Sequence, residues 1–312
     1  GSVNITAGNS GTNYLGGSIN FNIGTGGFGK GTVNVNNSDL FVQGITIGRG
    51  TGNVSTNTTL GYQANLYNPT NKGSNTAIGY FALMQNSTGS SNTAVGTSAL
   101  YNAGGNYNTG VGVNALTSSG GGTGSYNSAL GYNSLVFNTT GQYNLAVGAN
   151  AAYANTTASD ITAIGYQSLY ANKTGADVTA VGYNSLAANV NGSNNTAVGS
   201  NALSGNISGT TNTAVGYNAG MYYGSGTTNK STTGNGNVLI GNDVRPSADG
   251  ESNQIVIAGY TGSGDGMIGN GSNSTTIGNT STTKAKIYGA LTLPDATIST
   301  STTTGSLITS GG

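Results

Sequence analysis

The sequence predicts an all-β solenoid of ~17-residue coils, and three observations predict it. First, one phrase, Asn-Thr-Ala-(Ile/Val)-Gly-x-x-Ala-Leu, recurs ten times between residues 57 and 220. Second, its glycines keep a regular step. They are Gly61, Gly79, Gly96, Gly112, Gly131, Gly148, Gly165, Gly182, Gly199 and Gly216, at intervals of 18, 17, 16, 19 and then 17 five times over. Third, the composition opposes helix: of 312 residues 56 are Gly and 5% are charged, so the strong helix formers Glu, Lys and Arg are nearly absent. A two-helix repeat needs more than about 30 residues. The shorter period suits one coil of two short strands and two turns.

The chain reads in five parts. Residues 1–56 lack the phrase but alternate with period two in VNIT (3–6), INFNI (19–23), VNVN (33–36) and FVQGITIG (41–48). Such alternation predicts further solenoid or β-prism coils with Asn on one face. Residues 57–220 hold the tandem repeats. In each, Thr-Ala-Val suits a strand, and the following Gly permits φ > 0 and a sharp corner. The x-x-Ala-Leu segment supplies a second short run. Linkers such as QNSTGSSN then turn the chain back. Residues 221–236 are an insertion. Residues 237–293 resume a divergent phrase in NVLIG, QIVIAG and TTIG and end on KAKIYGALTL. Residues 294–312 form a Thr/Ser-rich tail. A solenoid ending on an open edge invites aggregation, so the natural chain is expected to continue.

One unit cannot bury its apolar face, whereas units stacked at ~4.8 Å can. The expected inner ladders are the residues before the glycine (Ile78, Val95, Val111, Leu130, Val147, Ile164, Val181, Val198, Val215) and the leucines after it (Leu83, Leu100, Leu116, Leu135, Leu169, Leu186, Leu203). The position between Thr and Val is held to Ala, as in Ala77, Ala94, Ala163, Ala180, Ala197 and Ala214. A face restricted to Ala predicts close contact with a neighbouring subunit, so both strand faces are expected to be buried.

Several function classes are disfavoured. There is no Cys and no His, which removes disulfides, thiolate or imidazole metal sites and imidazole acid–base chemistry. Eight basic side chains balance eight acidic ones, which leaves no charge excess for nucleic acid or anionic lipid. No apolar run approaches 18 residues, and the opening GSVNITAG has no signal-peptide character. The expectation is no cofactor, no metal, no catalytic residue, no nucleic-acid partner and no membrane insertion.

The tandem Asn-Thr-Ala-Val-Gly-Tyr-Asn-Ala-Leu units, with GITIGRGTGNVSTNTTLG at 44–61 and STSTTTGSLITSGG at the close, resemble the repeat regions of bacteriophage tail fibres. They are also similar to the head repeats of trimeric autotransporter adhesins. The resemblance covers about residues 41–293. It implies a left-handed parallel β-roll in an intertwined or side-by-side homotrimer, virion tail proteins as partners, and attachment to a host cell-surface glycan or protein. The implied location is the virion exterior, or a bacterial surface on the adhesin reading. No coiled-coil stalk or membrane barrel of an adhesin is present in the sequence.

The candidate functional residues each have a bland counterpart. Tyr62, Tyr80, Tyr132, Tyr166, Tyr183 and Tyr217 follow the glycine and form either a structural ladder, the favoured reading, or a sugar-binding column. In the insertion, Tyr222, Tyr223 and Lys230 are the receptor-binding candidates, because loops on repeat scaffolds carry function. Asp160 and Asp177 lie one period apart, a spacing that overlaps the separation in retaining glycosidases. Asp243, Asp249 and Glu251 cluster near Arg245. The run at 262–266 carries a single Gly/Asp unit, too few for a calcium array, and the Asn-x-Ser/Thr sequons follow from composition. An ice-binding solenoid is disfavoured because the repeated Thr precedes a buried-type pair and no Thr-x-Thr column persists. The repeat glycines from Gly79 to Gly216 and the alanines named above are read as structural.

Overall fold

The structure, a computed structural model, describes residues 40–42, 45–49, 54–67, 73–118, 121–225, 230–259 and 267–278. Two compact units divide the chain, Gly1–Ser38 and Asp39–Gly312, and every described residue belongs to the second. The VNIT, INFNI and VNVN runs, the 262–266 run, KAKIYGALTL and the 294–312 tail lie outside the described residues.

Among the described residues there are fifteen strands and no helix. In order they are β1 (Leu40–Val42), β2 (Ile45–Gly48), β3 (Thr58–Gly61), β4 (Thr76–Ile78), β5 (Thr93–Val95), β6 (Thr109–Val111), β7 (Ser128–Leu130), β8 (Leu145–Val147), β9 (Thr162–Ile164), β10 (Thr179–Val181), β11 (Thr196–Val198), β12 (Thr213–Val215), β13 (Val238–Gly241), β14 (Ile255–Ala258) and β15 (Thr275–Ile277). They form one sheet in sequence order. From β3 onward every pairing is parallel and in register: Thr162 meets Thr179, Ala163 meets Ala180 and Ile164 meets Val181. The chain is thus a parallel β-solenoid whose repeats lie directly on one another. β1 and β2 do not extend the parallel stack; they pair antiparallel with each other, and β2 pairs antiparallel with β3.

Each repeat coil contains one named strand, where the sequence predicts two. The x-x-Ala-Leu run is a chain of turns with alternate residues in the left-handed region, such as Gln167 (φ 52) and Leu169 (φ 54). Inter-coil bonds hold this strained path: Gln167 N–H donates to Ala149 O at 3.0 Å and Leu169 N–H to Ser185 O at 2.9 Å. The corner glycine is required twice over. At Gly165 φ is +129, and a Cβ there would lie 2.4 Å from the carbonyl oxygen of Gly182 in the next coil.

The strand faces are the reverse of the sequence expectation. Ala77, Ala94, Ala163, Ala180, Ala197 and Ala214 point into the coil and are fully buried, opposite the equally buried Leu83, Leu100, Leu169 and Leu186. The Val and Ile before the glycine point outward. The cause is width. At Gly110, which takes the Ala position in β6, a Cβ would meet Ala115 O at 3.0 Å and Leu100 Cγ at 3.1 Å. Where a leucine faces it, that position has room for little more than a methyl group, so the restriction to Ala reflects the coil's own core; where the leucine is replaced, as by Asn65 or Gly220, the buried Thr59 and Leu239 take the Ala position.

Asparagine completes the interior. Asn92 N–H donates to Asn75 Oδ1 at 2.9 Å, Asn108 N–H to Asn92 Oδ1 at 2.8 Å and Asn127 N–H to Asn108 Oδ1 at 2.9 Å. A second ladder runs through Asn138, Asn155, Asn172, Asn189 and Asn206, where from Asn155 onward each side-chain amide nitrogen donates to the Oδ1 of the Asn before it. These side chains are buried, and each bond replaces one that water would otherwise make.

Candidate functional site

With Ala turned inward, the outer face of the parallel sheet carries two straight columns. One is mostly Thr, from Thr58 and Thr76 to Thr196 and Thr213, with Ser128, Leu145, Val238 and Ile255 interrupting. The other is aliphatic, from Leu60 through Val147 and Val181 to Ile257 and Ile277. Both columns are half-buried or exposed; Leu130 is 49% exposed and Val215 38%. Such a face arises because strand side chains alternate and the inner position is already filled.

Tyrosines stand at both ends of this short strand. Four residues of the post-glycine column stack in pairs, Tyr62 on Tyr80 at 5.5 Å and Tyr166 on Tyr183 at 5.6 Å. Thr97, Val113, Ala149 and Ser200 break that column. A further pair, Tyr153 on Tyr170 at 5.0 Å, stacks in the turn beyond.

The sequence reading missed a third column, two residues before each strand. There Tyr107 stacks on Tyr126 at 4.9 Å and Tyr126 on Tyr143 at 5.2 Å. The recurring Tyr-Asn at 107–108, 126–127 and 143–144 was the available signal. All three tyrosines adopt the left-handed region, with φ of 57, 60 and 58. That conformation costs a side chain roughly 1–2 kcal/mol, less for Asn or Asp. Two aromatic pairs return roughly 0.5–1.5 kcal/mol each. Ser and Thr hold the same corner in other coils, at φ of 62 in Ser74 and 58 in Ser91 and Thr211, and bear a similar cost with no ring to stack on, so stacking favours Tyr over them.

Asp160 and Asp177 occupy the same corner in the next two coils. Asp160 N–H donates to Gln142 O at 3.1 Å, as Tyr143 N–H does to Ser125 O at 3.2 Å, and Asp177 N–H donates to Ser159 O at 3.2 Å. The structure therefore brings this pair together on one column, with both residues exposed.

The second carboxylate cluster is engaged within the fold. Asp243 holds Arg245 through Nε at 2.9 Å and Nη2 at 2.6 Å. Arg245 is fully buried, and its guanidinium lies 5.3 Å from the Tyr222 ring centre. Glu251 accepts from the Ser247 hydroxyl, from Ala248 N–H at 3.2 Å and from Gln254 Nε2 at 2.5 Å. Asp249 accepts from Thr232 N–H at 2.7 Å, the Thr232 hydroxyl at 2.5 Å and Thr233 N–H at 3.1 Å. Burial pushes the Asp249 carboxyl up, but these bonds and one from Gly250 N–H together hold it below the ordinary value of 3.8.

The insertion candidates are only partly grouped. Tyr222 bridges antiparallel to Lys230 and lies half-buried, with its ring against Arg245. Tyr223 is half-buried and Lys230 exposed, and residues 226–229 between them lie outside the described residues. The sequon asparagines Asn86 and Asn138 are buried turn braces; Asn86 Oδ1 accepts from Gly89 N–H at 2.8 Å. Among the described residues no three Asp or Glu gather as a metal site, and no helix is long and apolar enough to cross a membrane. No protein-family model matches the chain, and no curated protein or solved structure matches it.

Proposed function

We propose that this chain is a structural, host-attachment segment of a phage tail fibre: three left-handed parallel β-rolls assembled around one axis into a stiff rod without catalysis. The observation that carries the reading is the uncovered Thr and Val/Ile face. Each coil closes its own core with Ala, Leu and Asn, so the outer face is spare. Twelve steps of ~4.8 Å between β3 and β15 make it roughly 58 Å long. Apolar stripes of that length are rare on solitary soluble chains and mark interaction surfaces. Copies of the same chain supply a matching stripe of the same length, and the resemblance of the repeats to fibre proteins sets their number at three. Other tail proteins and a host-surface glycan or protein are the implied partners, at the virion exterior. The head of a trimeric bacterial adhesin is the alternative on the same scaffold, and tail or anchor genes beside this one separate the two. A polysaccharide depolymerase working through Asp160 and Asp177 is a weaker reading, supported by their stacking alone. Native mass spectrometry tests the main proposal. A mass of three chains is expected; a stable monomer with full β-sheet circular dichroism overturns it.

One observation favours a second reading. Thr and a β-branched residue share the outer face in two straight columns, contrary to the buried-type pair expected from sequence, and this is the arrangement an ice-binding face uses. Thermal hysteresis in dilute solution, with no assembly, would replace the rod by that reading.

A further inference from the structure

We propose that the two columns flanking the outer face are the two halves of one contact between copies of this chain. The left-handed corner residue, two before each strand, meets the post-glycine residue of the same coil in the next copy. The proposal deepens the assembly reading and rests on it for the number of copies.

The two columns keep step along the stack. From β4 to β12 each coil carries one residue of each kind. Where the corner is Tyr107, Tyr126 or Tyr143, the post-glycine residue is Val113, Tyr132 or Ala149, aromatic or aliphatic each time. Where the corner is polar, the post-glycine residue carries a hydroxyl. Ser74 goes with Tyr80, Ser91 with Thr97, Asn194 with Ser200 and Thr211 with Tyr217. The acidic corners obey the same rule: Asp160 goes with Tyr166 and Asp177 with Tyr183, so a carboxylate that accepts is matched to a phenol that donates. Val113 and Ala149 are the post-glycine residues of these coils that lack a hydroxyl, and both fall where the corner is Tyr.

Packing within one chain does not account for the match. The members of a pair, such as Asp177 and Tyr183, lie six residues apart on opposite sides of a strand, up to roughly 20 Å of extended backbone. Rings stack along each column, Tyr126 on Tyr143 at 5.2 Å and Tyr166 on Tyr183 at 5.6 Å, and among the described residues no ring contact joins one column to the other. Both columns are open in the single chain: Tyr107 is 56% exposed, Val113 43% and Tyr183 53%, and Asp160 and Asp177 are exposed.

Symmetry supplies the missing contact. When the outer faces of parallel stacks turn toward a common rotation axis, one edge of each face abuts the opposite edge of the next. With three copies this contact is heterologous and closes into a ring. Rotation alone shifts nothing along the axis, so each coil lies level with its own counterparts. The residues that match in sequence are then the ones that touch. The corner Tyr143 covers Ala149 of the next copy, and the Asp160 and Asp177 carboxylates accept from the phenols of its Tyr166 and Tyr183. The Thr and Val/Ile columns between the two edges are enclosed around the axis.

The chain has no Cys, so introduced thiols report without background. Asn194→Cys and Ser200→Cys are combined in one chain, which is assembled, treated with a short bismaleimide and run on a denaturing gel. Covalent trimers are expected from this double variant and monomers from either single variant, because each column meets the other and never itself. Ser91→Cys with Thr97→Cys repeats the test in a different coil, so misfolding of one variant does not decide it. Ala149→Cys with Asn194→Cys, which are out of step, should give no trimer. Crosslinking of a single variant, or equal crosslinking by the out-of-step pair, overturns the column pairing. So does a native mass of three chains without crosslinking in either in-step double variant, which leaves the trimer standing. A native mass of two chains that the in-step variants crosslink keeps the pairing and sinks the trimer. A native mass of one chain sinks both.

Discussion

At the scale of single residues, two positions in each coil tolerate little change, for different reasons. The corner glycine faces a backbone carbonyl that cannot move without breaking the next coil. Gly165→Ala combines a φ of +129 with a Cβ 2.4 Å from Gly182 O, so it should cost about 3–5 kcal/mol. Because repeats depend on their neighbours, hydrogen exchange should show faster opening of the coils around residues 162–186 than of distant ones; uniform protection across the stack would contradict this. The buried ladder asparagines answer to a different rule. Asn189 donates to Asn172 Oδ1 and Gly192 O and accepts from Asn206 Nδ2. Asn189→Ala leaves those groups buried and unsatisfied, at about 1–3 kcal/mol for each that water cannot reach. A lowered denaturation midpoint is the expected readout. In the other ladder, Ile161 and Val178 replace Asn in two successive coils and are buried, which shows that neighbouring partners exchanged together for apolar groups are accommodated. The motif Asn was visible in the sequence, but its role was not. An Asn in a Gly-rich linker reads as a turn residue, and only the stacking of coils turns a row of turn residues into a ladder.

At the scale of elements, the strand Thr-Ala-Val shows where sequence reasoning fails. Alternation puts Thr and Val on one side and Ala on the other, and hydrophobicity favours Val inside. Three-residue strands in so narrow a coil reverse that preference, because the opposing leucines leave room for one methyl group. The insertion after β12 is a second case. The charged residues that follow it look like a site in the sequence, whereas Arg245, Asp243 and Tyr222 clamp the insertion onto the stack, and Asp249 ties Thr232 and Thr233 to the next coil. The depressed Asp249 carboxyl gives this tie a pH dependence. Its folded value lies below 3.8, so its contribution is fully present above the unfolded value. It fades as pH falls through the folded value. Exchange of the Thr232 and Thr233 amides should therefore accelerate as pH drops below about 4, relative to amides of the repeat coils. An Asp249→Asn variant should show that faster exchange already at neutral pH, and equal rates in the two proteins would refute the assignment.

At the scale of the whole molecule, the design is one coil stacked many times, and two outcomes follow. Removing residues 166–182, one full period, should leave an in-register stack in which Gly165 is followed by Tyr183. Circular dichroism per residue should be unchanged and the midpoint only slightly lower, since neighbour terms add along a repeat array; loss of the β-sheet signal would show that the coils are not interchangeable. A charge on the spare face should act on assembly and leave the coil intact. Val181→Lys together with Val198→Lys is expected to give a monomer with the original circular dichroism, measured by native mass spectrometry; a trimer of unchanged stability would place the subunit contact elsewhere. The period, the parallel in-register stack and the glycine corner were determined by the sequence alone, because a repeated backbone conformation leaves its trace at every recurrence. Which strand face turns inward, which tyrosines share a column and which charges are spent inside the fold were decided only by tertiary structure. Those properties depend on the space between side chains far apart in sequence, and residue type by itself does not measure that space.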